Sequence, residues 1–232
     1  MPFPGFDERV AEARSRIAEA NARGGHGQQV RLIAVTKTHG PDAVEAAMRA
    51  GIVDVGENKV QEAIDKQAAI AGASDWVADV RWHLIGHLQR NKVRFLDRFC
   101  LLHAMDRASL ADSVHAFGMV RGRPVEVLVQ VSVAGERSKG GYEPASWKAE
   151  AERLLGLSGM RVTGVMTMAP YDADEATLRR VFAQAREARA AFAAAGHAAT
   201  ELSMGMSGDF EVAVEEGATM VRLGTVLFGA RE

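Results

Sequence analysis

A single cysteine, Cys100, in 232 residues excludes an intramolecular disulfide and suits a reducing compartment. An excess of one charge is also missing. The 28 basic and 30 acidic residues are interspersed and leave a net charge of -2, so polyanions gain no general attraction and nucleic acid is not an expected partner. No apolar run is long enough to span a bilayer, and residues 1–7 lack a basic start followed by an apolar stretch. Neither secretion nor membrane insertion is expected, and the location expected is cytoplasmic. Tracts rich in Pro, Gly or Ser are absent too, so nothing divides the chain, and 47% hydrophobic content over this length is enough for one large core. A single domain spanning residues 1–232 is expected.

What is present is an alternation of short apolar runs and longer helical patterns, the mark of a parallel sheet with crossover helices. Strands are expected at residues 30–36, 52–55, 80–85, 100–103, 125–131, 161–165, 200–202 and 220–223. Between them, residues 174–195 place Leu178, Val181, Phe182, Ala185 and Phe192 on one helical face. Pro41 suits a first helical turn, and Gly51 a stop before the second strand. Residues 6–23 form an extra amphipathic helix ahead of the series. An open doubly wound sheet would share this local pattern, but eight strands close most economically as a (β/α)8 TIM barrel.

In such a barrel the active site lies at the C-terminal mouth, so the residues following each strand belong together. They are Lys37, Glu57-Asn58, Gly86-His87, Asp106, Ser132, Met168, Ser203 and Gly224-Thr225. Lys37 ends the apolar run from Arg31 to Thr36, where partial desolvation disfavours the ammonium and frees the amine as a Schiff-base nucleophile. The segment Ser203-Met204-Gly205-Met206-Ser207-Gly208-Asp209 leads toward a helix expected to begin near Ser207, whose exposed N–H groups favour an anion. Gly224 permits close backbone approach to a ligand and Thr225 adds a hydroxyl. Loops seven and eight are the usual phosphate site of this barrel, and closure brings strand eight beside strand one. An imine-forming amine next to a phosphate cup points to pyridoxal 5'-phosphate or to a phosphorylated carbonyl substrate.

The runs Ala34-Val35-Thr36-Lys37, Gly56-Glu57-Asn58, residues 82–92, Leu202-Ser203-Met204-Gly205-Met206-Ser207 and Val221-Arg222-Leu223-Gly224-Thr225 closely resemble the YggS/PROSC family, the pyridoxal phosphate homeostasis proteins. The resemblance covers nearly the whole chain. It implies a barrel similar to the N-terminal domain of alanine racemase, a fold type III arrangement, with Lys37 as the aldimine lysine. It also implies that Ser203, Ser207, Gly224 and Thr225 hold the phosphate, that Asn58 lies beside the cofactor and that Arg222 faces the pyridine nitrogen. Ser132 stands where the family more often has asparagine, and Ala104 where serine is common. Lys139 matches a family lysine and is a candidate for cofactor handover. The implied role is carriage or buffering of the cofactor in vitamin B6 homeostasis, with apo-forms of pyridoxal phosphate-dependent enzymes as recipients, no established catalysis and a monomeric unit.

Electronics support that role. An arginine at the ring nitrogen resists its protonation and weakens the ring as an electron sink. Racemases of similar fold draw a second acid/base group with help from a further domain; this chain is expected to lack one, and Tyr142 and Tyr171 are its only tyrosines. The competing readings are an amino-acid racemase or related aldimine enzyme, and a lysine-dependent aldolase for sugar phosphates. Each residue also has a plainer reading: Lys37 as a solvated charge, Ser207 and Asn58 as helix caps, Arg222 as a partner of Asp209 or Glu211, and Gly224 as a tight turn. His83 and His87 share no helical face and are read as structural rather than metal ligands. His103 and Cys100 are read as packed core.

Overall fold

The computed structural model describes residues 3–73, 75–133 and 140–229, so Lys139 lies outside the described residues. Eight parallel strands close in chain order into a barrel: β1 (Arg31–Val35), β2 (Asp54–Glu57), β3 (Arg81–Leu84), β4 (Leu101–Met105), β5 (Val125–Gln130), β6 (Met160–Met166), β7 (Glu201–Ser203) and β8 (Met220–Leu223). The seam is sealed by β1 on β8, with Ile33 opposite Arg222 and Ala34 opposite Leu223. Such strands are covered on both faces, which is why Ile33, Ala34 and Val35 are all buried rather than alternating with polar residues. One face points into the barrel, where Ile33, Leu101, Ala104, Leu128, Met166 and Met220 form an interior cluster. The other packs against the surrounding helices.

Those helices are α1 (Phe6–Gly24), α2 (Pro41–Arg49), α3 (Val60–Ile70), α4 (Ala108–Arg121), α5 (Trp147–Leu155), α6 (Glu175–Ala195), α7 (Phe210–Glu215) and α8 (Thr225–Phe228). Pro41 occupies the first turn of α2, and Gly51 follows at φ 70°, a left-handed turn that suits glycine. Asp174 caps α6 by accepting the Thr177 N–H at 2.8 Å, and the five expected apolar positions of that helix are buried. α1 buries Phe6, Val10, Ala13, Ile17 and Ala20 along one stripe. Its Arg9 Nε donates to the Leu227 carbonyl at 2.7 Å, fastening the first helix to the last.

Three elements differ from the sequence expectation by more than one residue. β2 lies two residues later than 52–55, because Gly56 and Glu57 continue the strand in full burial; Glu57 reads as a loop residue until its partner Lys66 is seen. β4 runs on through Ala104 and Met105, both buried, whereas Cys100 falls just before the strand and is exposed rather than core. The helix expected near Ser207 begins at Phe210, since Asp209 turns back to accept the Met206 N–H at 2.5 Å and holds the preceding residues as a turn. The segment after β3 is a 3-10 helix, Arg90–Arg98.

Candidate functional site

Lys37 lies two residues beyond the end of β1, half-buried at the C-terminal mouth. The turn that carries it is held from below. Lys66 Nζ donates to the Thr36 carbonyl at 2.6 Å and to Glu57 Oε1 at 2.5 Å, and Thr36 Oγ1 donates to the same carboxylate oxygen. On the far side of the lysine, Thr38 takes φ 68°, an unfavourable conformation for a β-branched residue, and its N–H donates to the Glu62 carboxylate. A turn strained at one residue thus persists because four neighbouring groups specify it. Burial pushes the Glu57 carboxyl up against the opposing hydrogen bonds of Lys66 and Thr36, and its Oε2 has no hydrogen-bond partner.

The mouth beside Lys37 is built by the seam. The β1–β8 register brings Gly224 to the end of β1, where a Cβ on that glycine would lie 3.5 Å from the Val35 carbonyl. Ser207 Oγ accepts the Val226 N–H at 3.3 Å and ties loop seven to loop eight, with Thr225 exposed on the rim. On the other flank Asn58 follows β2, its carbonyl so near Gly86 that a Cβ there would fall 2.3 Å away. Lys37, Asn58, Ser207, Gly224 and Thr225 therefore share one end of the barrel. Ser203 and Arg222 are placed differently: both are buried in the interior, with Arg222 Nη1 donating to Ser203 Oγ at 2.6 Å and Nη2 to the Thr167 carbonyl at 3.0 Å. Neither Asp209 nor Glu211 forms an ion pair with Arg222 among the described residues; Glu211 pairs instead with Arg16 and Arg23. Burial pulls the Arg222 guanidinium down to about 10, so it remains charged at neutral pH. A primary amine, hydroxyls and backbone donors on one mouth, with a cation buried in the interior, make a donor set suited to an anionic, carbonyl-bearing ligand.

Beneath that mouth lies a feature that the sequence reading missed. His83 Nε2 meets Asp54 Oδ1 at 2.7 Å, His83 Nδ1 meets His103 Nε2 at 2.9 Å, and His103 Nδ1 meets Ser203 Oγ at 2.9 Å. His103 is core, as expected, but it has polar partners on two other strands. The available signal was one histidine in each of two consecutive strands; the contact with Ser203 comes from the barrel closure, not from sequence spacing. His87 has a separate partner, Asp106, at 2.7 Å. No group of three or more His, Cys, Asp or Glu is arranged to hold a metal ion among the described residues.

Burial lowers His83 despite the opposing Asp54 bond, and burial followed by His83 lowers His103 well below 6.5. A depressed folded value contributes stability that is present above the unfolded value near 6.5 and is lost as pH falls through the folded values. The unfolding free energy is therefore expected to decline on acidification from pH 7 to 5, at up to about 1.4 kcal/mol per pH unit for each additional proton bound by the unfolded chain, and the melting temperature with it. Calorimetry should find a flatter decline in His103→Leu; an equal slope would remove the histidines as the cause.

Residues 10–232 match the family described as alanine racemase, N-terminal domain. The pyridoxal phosphate homeostasis protein of Aquifex aeolicus is 40% identical over 228 residues, covering 97% of this chain and 98% of that protein. Its Escherichia coli counterpart is 36% identical over 229 residues, covering 96% and 95%. Among solved structures, PipY of Synechococcus elongatus with pyridoxal phosphate bound superposes with a TM-score of 0.84 at 37% identity, covering 97% of this chain and all of that one. Alanine racemase of Corynebacterium glutamicum shares the fold at 19% identity and a TM-score of 0.69, with 94% of this chain matched to 61% of that enzyme.

Proposed function

The chain belongs to the alanine racemase N-terminal domain family and, within it, to the pyridoxal phosphate homeostasis proteins; from that premise we propose that it holds pyridoxal 5'-phosphate on Lys37 and acts as a carrier or buffer in vitamin B6 homeostasis. The observation that carries this reading is the seam, which sets the Lys37 turn beside the Ser207, Gly224 and Thr225 rim. Bound pyridoxal phosphate supplies an aldehyde that condenses with a primary amine and releases water. Ser207, Gly224 and Thr225 would take the phosphate, Asn58 would flank the ring, and Arg222 would face the ring nitrogen from the interior. A charged guanidinium donates hydrogen bonds but gives up no proton at neutral pH, so it orients the ring without making it a strong electron sink. Recipients would be apo-forms of enzymes that use the same cofactor, approached by a monomeric, single-barrel protein. No described helix is long and apolar enough to cross a membrane. Titration with the cofactor tests the reading. A saturable absorbance change on binding supports it, and an additive spectrum of free protein and free cofactor overturns it.

The racemase reading needs a second acid/base group at the mouth. Tyr142 is buried, its hydroxyl directed to Met105 Sδ at 3.7 Å, and burial pushes it up to about 12. Tyr171 is 90% exposed. Neither is poised for proton transfer. Amino acids incubated with the cofactor-loaded protein in deuterium oxide are expected to gain no α-deuterium above the rate with free cofactor, measured by mass spectrometry; Lys37-dependent exchange would restore the racemase reading.

A further inference from the structure

The interior hydrogen bonds have one self-consistent direction. The Asp54 carboxylate accepts, so His83 Nε2 carries a proton and, in a neutral ring, Nδ1 is an acceptor. His103 Nε2 must then donate to His83, leaving His103 Nδ1 as the acceptor for the Ser203 hydroxyl. Ser203 has one proton, committed to His103, and its oxygen accepts from Arg222. These bonds link β2, β3 and β4 and then cross the barrel interior to β7 and β8. We propose that His83 and His103 are positioning residues for Arg222, acting through a Ser203 hydroxyl that has no proton left for a phosphate. This rests on the reading above that Arg222 faces the ring nitrogen, and it departs from the family resemblance by giving the hydroxyl donation to phosphate to Ser207 and none to Ser203.

Two further observations support it. Burial, opposed and outweighed by the His83 hydrogen bond and nearby cations, leaves the Asp54 carboxyl below its ordinary value, so it is an acceptor at neutral pH. Burial also keeps both rings neutral there, which the alternating donors and acceptors require. An apolar residue at 103 would leave His83 Nδ1 and the Ser203 proton buried without partners. Ser203 could then rotate, and the guanidinium would lose its fixed acceptor.

Nitrogen-15 spectra of the full chain without cofactor test the direction. Protonated Nε2 and bare Nδ1 on both rings are expected; a protonated Nδ1 on His103 overturns the chain as drawn. With pyridoxal phosphate, Ser203→Ala and His103→Leu are each expected to shift the bound absorbance maximum and weaken binding roughly tenfold, and the double variant to be no worse than either alone. Competition by inorganic phosphate should weaken in Ser207→Ala and remain unchanged in those two variants. Loss of phosphate competition in Ser203→Ala, with His103→Leu unaffected, would make Ser203 an ordinary phosphate donor and overturn the proposal. If His103→Leu fails to fold, Ser203→Ala, which deletes one oxygen, carries the same test. Absence of any cofactor-dependent spectrum in the wild type would defeat the functional reading, while the nitrogen-15 result still decides the chain. An unshifted spectrum in Arg222→Lys would defeat only the placement of Arg222 at the ring.

Discussion

Replacing Lys37 by alanine is expected to abolish covalent retention of pyridoxal phosphate. After borohydride treatment, which reduces a carbon–nitrogen double bond to a stable amine, mass spectrometry should find one reduced cofactor on Lys37 in the wild type and none at that position in the variant. Lys66, just beneath the Lys37 turn, offers no substitute, because it is buried with its ammonium bonded to Glu57, Thr36 and Glu62. The rim from Ser207 to Thr225 remains intact in the variant, so weaker, reversible binding is expected to survive and to compete with inorganic phosphate. Full retention of the reduced adduct elsewhere would mean that the seam arrangement does not select the reacting amine. Loss of all affinity, including that for phosphate, would instead point to collapse of the turn.

The second large effect concerns stability. Lys66→Met is expected to destabilise the fold by about 3–5 kcal/mol, the range for stranding one member of a buried ion pair. Glu57 is fully buried, already has one oxygen unpartnered, and would retain only Thr36 of its present hydrogen-bond donors. At this chain length the melting temperature should fall by roughly 10 °C. The sign with pH is diagnostic. Burial holds the Glu57 carboxyl above its ordinary value, and removing the lysine strengthens that bias, so the favourable contribution of the protonated form is lost as pH rises through the folded value. The variant should therefore lose more stability at pH 8 than at pH 5. The double variant Glu57→Leu/Lys66→Met should recover most of the loss, because no buried charge is then left alone. A single-variant change under about 1 kcal/mol in urea unfolding would show that Glu57 finds another route to neutrality or solvent.

Much of the barrel is legible because parallel strands buried on both faces leave apolar runs that need no knowledge of their partners. The residues from Arg31 to Val35 and the helical face through Leu178, Val181 and Phe182 are such cases. Pro41 and Gly51 mark boundaries through their own backbone preferences. Lys37 is legible as a candidate for the same local reason. Glu57 is not, since a carboxylate inside a strand makes sense only with Lys66 one helix away. Ser203 reads as a mouth residue because it ends a strand, and nothing near it in the chain indicates that its hydroxyl turns inward to His103, a hundred residues earlier. Contacts created by closure of the barrel are invisible to spacing rules.

The closing seam also has a consequence during synthesis. Lys37 leaves the ribosome well before Gly224 and Thr225, which complete the rim beside it. A chain translated only through Lys37 carries the amine but not the rim proposed to take the phosphate. If the chain is the proposed carrier, loading has to wait until β8 has met β1.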